Sequence, residues 1–140
     1  MKKIEHIGIA VKDLEVSNKL FSKLFNTSNY TEEVLESEGV KTSFFKIGDE
    51  KIELLQGLNA NSVISRFIKK KGEGVHHIAF EVVDIKSELI RLKEEGFELI
   101  DDIPKRGADN KLVAFIHPKS TNGVLIELCQ DIVSLKNKFE

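Results

Sequence analysis

Two histidines and two glutamates recur at matched places in this chain: His6 with Glu53, then His77 with Glu127. His6 opens H-I-G-I-A-V-K-D-L, and His77 opens H-I-A-F-E-V-V-D-I. Glu53 sits in I-E-L-L-Q, and Glu127 in I-E-L-C-Q. The histidines are 71 positions apart (77 − 6) and the glutamates 74 (127 − 53). A turn three residues longer in the second copy, between Phe115 and Val124, accounts for the difference. Two imidazoles and two carboxylates suit a borderline-to-hard divalent ion such as Co, Mn, Ni, Zn or Mg. Four such ligands in an octahedron leave two neighbouring positions for a substrate that chelates through two oxygens. A metal on a carbonyl oxygen stabilises the enolate left when the adjacent C–H loses its proton. A carboxylate beside that metal can take the proton.

Those side chains must be presented by strands. Ile4 to Val11 alternates, with Ile7, Ile9 and Val11 on one face and His6, Gly8 and Ala10 on the other. Asp13 can cap a helix over residues 14–25. Its apolar positions Val16, Leu20, Phe21, Leu24 and Phe25 recur at helical spacing. Strands are expected at 30–35, 40–47 and 51–56, with a turn at Glu38-Gly39 and a hairpin at Gly48-Asp49-Glu50. On the last strand Ile52 and Leu54 share one face, and Glu53 and Leu55 the other. After a linker at 57–61, Ser62 can cap a short helix of Val63, Ile64, Phe67 and Ile68 that Gly72 closes.

The second copy repeats the order. His77, Ala79 and Glu81 alternate against Ile78, Phe80 and Val82. Asp84 caps a helix carrying Ile85, Leu89, Ile90 and Leu92, which ends at Gly96. A short strand at 97–103, a polar loop at 104–110, a strand at 112–116, a turn at 117–123 and a strand at 124–130 follow. The tail from Asp131 is charged and expected to fray. The fold class is therefore α+β: two βαβββ repeats forming a curved mixed sheet with a cleft. The organisation is one domain over 1–140, with repeat one at about 4–57, a linker helix at about 62–72 and repeat two at about 75–130. A single βαβββ unit has too little core to stand alone. At Glu127, the core residues Val124, Ile126 and Leu128 point one way and the glutamate the other. An ionised carboxylate among Ile, Leu and Val is expensive to bury unless paired or metal-bound.

Length and composition bound the rest. The chain has 140 residues, 41% of them hydrophobic, and a net charge of −2. That near balance gives no overall electrostatic case for nucleic acid. The one cysteine, Cys129, rules out an intrachain disulfide and fits a reducing cytosol, so a cytoplasmic location is expected. No stretch approaches the roughly 20 apolar residues of a membrane span, and the start M-K-K-I-E-H turns polar early. Lys69 to Lys71 fall in the last turn of the linker helix, where cations compensate the helix dipole. His76 alternates away from His77 and reads as a packing residue. His117 opens a turn and is expected to bond locally. Cys129 has no neighbouring base and reads as a small core or cleft-lining residue.

From His6 to about Gln130 the chain resembles the vicinal oxygen chelate superfamily, the paired βαβββ fold of glyoxalase I, extradiol dioxygenases and fosfomycin-resistance proteins. Within it the chain resembles the methylmalonyl-CoA epimerase family. The stretches I-G-D-E-K-I-E-L-L, K-K-G-E-G-V-H-H-I-A-F-E-V and above all H-P-K-S-T-N-G-V-L-I-E-L carry that likeness. The resemblance implies metal ligands at His6, Glu53, His77 and Glu127, with Glu127 also the acid/base at the substrate α-carbon. It implies epimerisation of (2R)- and (2S)-methylmalonyl-CoA through a metal-stabilised enolate. Some members carry a second Glu where this chain has Thr42, so the second acid/base stays open between water, Glu38 and another group. Lys119, Ser120 and the backbone at Gly123 are candidates for the substrate carboxylate. Lys105, Arg106 and Lys111 are candidates for the phosphates of a CoA tail. Lactoylglutathione lyase (glyoxalase I) and a non-catalytic binding protein of the same fold are the alternatives. Family likeness also suggests a homodimer.

Overall fold

A computed structural model describes residues 1–132. Most of the tail from Asp131 therefore lies outside the described residues. The chain divides into two compact units, His6–His76 and the residues from His77 onward together with Met1–Glu5.

The first unit is built on β1 (Lys3–Ala10), α1 (Leu14–Phe25), β2 (Thr31–Leu35), β3 (Val40–Ile47), β4 (Glu50–Gly57) and α2 (Val63–Lys71). Its strand order is β2-β3-β4-β1. β1 runs parallel to β4, and the other neighbours are antiparallel. Asp13 caps α1 as expected, accepting from the Val16 N–H at 3.0 Å. The face that α1 lays on the sheet differs from the expected one. Leu14 and Ser17 are buried and Phe21 and Phe25 half-buried, whereas Val16, Leu20 and Leu24 point outward. The small Ser17 and the ring pair Phe21–Phe25 form the inner face, and Phe25 meets Phe45 edge-on at 5.5 Å. Val11, Leu14, Phe45 and Leu54 form the core there, with Ile9 and Ile52.

The opposite face of the same sheet carries His6 and Glu53. Its far end is sealed by α2, whose Ile64, Phe67 and Ile68 pack on Ala10, Val40 and Leu55. Ser62 caps α2 by accepting from the Ser65 N–H. Gly57 lies directly under both serines, and a Cβ there would run into their hydroxyls. Only glycine allows this approach.

The second unit contains most of β5 (Gly74–Glu81), then α3 (Ile85–Glu94), β6 (Lys105–Arg106), β7 (Lys111–Ile116) and β8 (Ile126–Asp131). Its order is β5-β8-β7-β6, with β5 parallel to β8. The first residues of the chain belong here, and the Lys2 N–H donates to the Glu81 carbonyl at 2.8 Å. Asp84 caps α3 at the Ser87 N–H and hydroxyl. Ile85, Leu89 and Leu92 face the core with Val82, Ala114, Ile116 and Leu128. Ile90, expected inside, is 61% exposed because it follows Leu89 directly and so turns about 100° away from the buried line.

The expected strand at 97–103 reduces to a single bridge between Leu99 and Ile116. Asp101, Asp102 and Pro104 interrupt the alternation, and Ile103 is exposed. The pairing that was expected there falls instead on Lys105 and Arg106, against Val113 and Leu112. Among the described residues no helix is long and apolar enough to cross a membrane.

Candidate metal centre

The two His/Glu pairs occupy equivalent places in their own units. In the first, Gly8 on β1 pairs with Glu53 on β4, and His6 lies two residues back on the same face. His6 Nε2 is 3.3 Å from Glu53 Oε1. In the second, Ala79 on β5 pairs with Glu127 on β8, and His77 lies two residues back. His77 Nε2 is 4.0 Å from Glu127 Oε2. All four residues are buried. His6, His77 and Glu127 are described residues whose donor types suit a metal ion.

Each histidine also rests edge-on against a phenylalanine from the neighbouring hairpin. His6 meets Phe44 with ring centres 6.0 Å apart, and His77 meets Phe115 at 5.9 Å. Phe44 is the cross-strand partner of Glu53, and Phe115 that of Glu127. An edge-on aromatic fixes the plane of an imidazole without competing for its nitrogens. Phe44 and Phe115 are 71 positions apart, like the histidines, so the signal was present in the sequence.

One feature breaks the match. The Thr42 hydroxyl, fully buried, donates to Glu53 Oε2 at 2.8 Å. The second unit has Val113 at the corresponding register, packed on Ala79 and Cys129. Glu38 lies in the 3-10 turn Glu36–Glu38 that precedes β3.

The candidate substrate contacts fall into different settings. Lys105 Nζ lies over the Phe115 ring at 5.7 Å and 3.6 Å from Asp101, so it reaches the aromatic that packs on His77. Arg106, on the opposite side of the same short strand, donates to Asn110. Lys111 lies 3.9 Å from Asp131. Lys119 Nζ pairs with Glu98 at 2.7 Å, and Ser120 Oγ accepts from the Glu98 N–H at 2.8 Å. Gly123 closes the turn with φ 86° and donates to the Pro118 carbonyl. His117 bonds locally, its Nδ1 accepting from the Lys119 N–H. Cys129 is buried and donates to the Phe80 carbonyl. His76 packs edge-on against Phe67 at 4.9 Å.

Residues 5–115 match the model of the Glyoxalase/Bleomycin resistance protein/Dioxygenase superfamily. The chain belongs to that superfamily and has its fold. Within it, several relatives are epimerases of CoA thioesters. The chain is 42% identical to the mitochondrial methylmalonyl-CoA epimerase of Dictyostelium discoideum, over 90% of its own length and 76% of that protein. It is 38% identical to the ethylmalonyl-CoA/methylmalonyl-CoA epimerase of Cereibacter sphaeroides, over 91% and 97%. A solved methylmalonyl-CoA epimerase in complex with methylmalonyl-CoA and NH4+ superposes with a TM-score of 0.91 at 32% identity, covering 94% of this chain and 96% of that one.

Proposed function

We propose that the chain is a methylmalonyl-CoA epimerase that interconverts the (2R) and (2S) thioesters by removing and returning the α-proton. The observation that carries this reading is the doubled His/Glu pair on equivalent strands, in a chain similar over nearly its whole length to such epimerases. The reading has His6, Glu53, His77 and Glu127 hold one divalent metal, with both units serving as one domain. The donor set fits. Each unit turns an imidazole nitrogen towards a buried carboxylate, and buried carboxylates are tolerated where a cation shares them. Such an ion would supply positive charge where a thioester carbonyl gains negative charge.

The protein's own groups do the rest. Glu127 takes the α-proton on one face, and inversion needs a proton delivered on the opposite face by water, Glu38 or another group. Phe44 and Phe115 hold the imidazole planes. Lys105, over Phe115, offers its ammonium to an anionic group of the substrate. Arg106 and Lys111 stand further along the same hairpin for the CoA phosphates. Lys119 can exchange Glu98 for the substrate carboxylate, because an ion pair this exposed is worth little. Ser120 and the Gly123 backbone shape that turn. The reading also takes the protein to be a cytoplasmic homodimer; light scattering that gives a monomer would remove the second half of that statement.

The test is α-hydrogen exchange. Metal-loaded protein with methylmalonyl-CoA in D2O is expected to take up deuterium at C2 with loss of stereochemical purity. No exchange with any of Co, Mn, Ni, Zn or Mg would sink the proposal. Turnover of methylglyoxal with glutathione in place of exchange would move the assignment to lactoylglutathione lyase.

A further inference from the structure

We infer that Thr42 is a positioning residue that fixes Glu53 as a stationary metal ligand. The inference deepens the metal-site reading above and rests on it. Glu53 presents its two oxygens to different neighbours: Oε1 faces His6 Nε2 at 3.3 Å, and Oε2 accepts from the Thr42 hydroxyl at 2.8 Å. The bond spans adjacent antiparallel strands on a diagonal, since Thr42 stands opposite Leu55 and Phe44 opposite Glu53. Both partners are buried, Thr42 completely. A hydroxyl–carboxylate bond in such surroundings is short and strong, and it leaves one oxygen of the carboxylate for an ion beside His6.

The same register in the second unit holds a different side chain. Counting 71 positions from Thr42 gives Val113, just as His6 leads to His77 and Phe44 to Phe115. Valine and threonine are nearly the same shape, but valine carries no donor. Val113 packs on Ala79 and Cys129. The register that carries a hydroxyl in the first unit carries valine in the second. A carboxylate held by a donor keeps its orientation. Thr42 therefore makes Glu53 the fixed ligand.

The test is metal binding without substrate. Apo protein is titrated with Zn or Co against a chromogenic chelator, comparing wild type, Thr42→Val and Thr42→Ser. Loss of a hydrogen bond that orients a ligand weakens metal affinity by about 10–100-fold, and that loss is expected for Thr42→Val. Thr42→Ser, which keeps the hydroxyl, is expected to bind within a few-fold of wild type. The Co-loaded Thr42→Val protein should also show an altered visible absorption spectrum. Wild-type affinity in Thr42→Val would overturn the inference. So would equal losses in both variants, which would assign the effect to packing. A wild-type protein that binds no divalent metal would instead remove the metal-site reading beneath it.

Discussion

The two units apply one plan to the same four positions and differ at a fifth. Both place a histidine two residues before the strand position that pairs with a glutamate. Both set a phenylalanine edge-on to that histidine, at nearly equal distances and angles. Both have an aspartate capping the following helix. The difference is Thr42 against Val113: Glu53 has a hydroxyl to lean on, while the matching register of the second unit holds a valine packed on Ala79 and Cys129. Duplication alone yields two interchangeable carboxylates. A single oxygen atom, the Thr42 hydroxyl, is where the second unit's sequence departs from the plan.

The largest effect should come from exchanging each glutamate for its amide. Glu127→Gln is expected to slow C2 deuterium exchange by about 10²–10⁴-fold, the usual contribution of a general base. Glu53→Gln keeps a ligand oxygen and is expected to stay within about tenfold of wild type, since the amide carbonyl still coordinates. Equal losses in the two variants would break the contrast between the units.

Val113→Thr offers the sharper and smaller test. It gives Glu127 the donor that Glu53 already has, at nearly constant volume. Exchange is expected to fall by about tenfold, as a hydrogen bond to the ionised form lowers basicity, while metal affinity holds. An unchanged rate would mean that position 113 has no bearing on the proton.

The smallest effect concerns the helix caps. The Ser87 backbone N–H, and then its hydroxyl, hold the Asp84 carboxyl below its ordinary value of 3.8. A group with a lowered folded pKa contributes stability above its unfolded value and loses it as pH falls through the folded one. Asp84→Asn keeps the cap acceptor without that titration. Its acid-unfolding curve should be shallower than the wild type's below about pH 4, and superimposable curves would count against the assignment.

The repeat was the most legible part of the chain. Period-two alternation placed Glu53 with Leu55 and His77 with Ala79, because one face of each strand had to be apolar. The caps at Asp13, Ser62 and Asp84 were equally plain, since few residues serve there. The inner face of α1 is not legible, because Val16, Leu20 and Leu24 have the right spacing and only the sheet decides between two apolar stripes. The segment 97–103 reads as a strand yet makes only one bridge, since a run of apolar residues does not show whether a partner edge is in reach. In the sequence Thr42 stands out only as a residue that cannot serve as a base. Its bond to Glu53 depends on a diagonal contact between strands, and register is invisible until the hairpin is built.

The glutamines that follow the two glutamates carry a last consequence. Gln56 Oε1 accepts from the Leu14 N–H at 2.7 Å, and Gln130 Oε1 from the Ile85 N–H at 2.9 Å. Each sits three residues beyond its glutamate and takes up the first N–H of its unit's helix, which no helical carbonyl can reach. The glutamate-bearing strand is thereby latched lengthwise to the helix. An inserted or deleted residue between Glu53 and Gln56, or between Glu127 and Gln130, would flip the strand's faces and release the latch together. The connection before β8 already runs nine residues (117–125), against two (48–49) before β4. Length can vary on one side of each glutamate and not on the other, and that asymmetry shows where this fold can accept new loops.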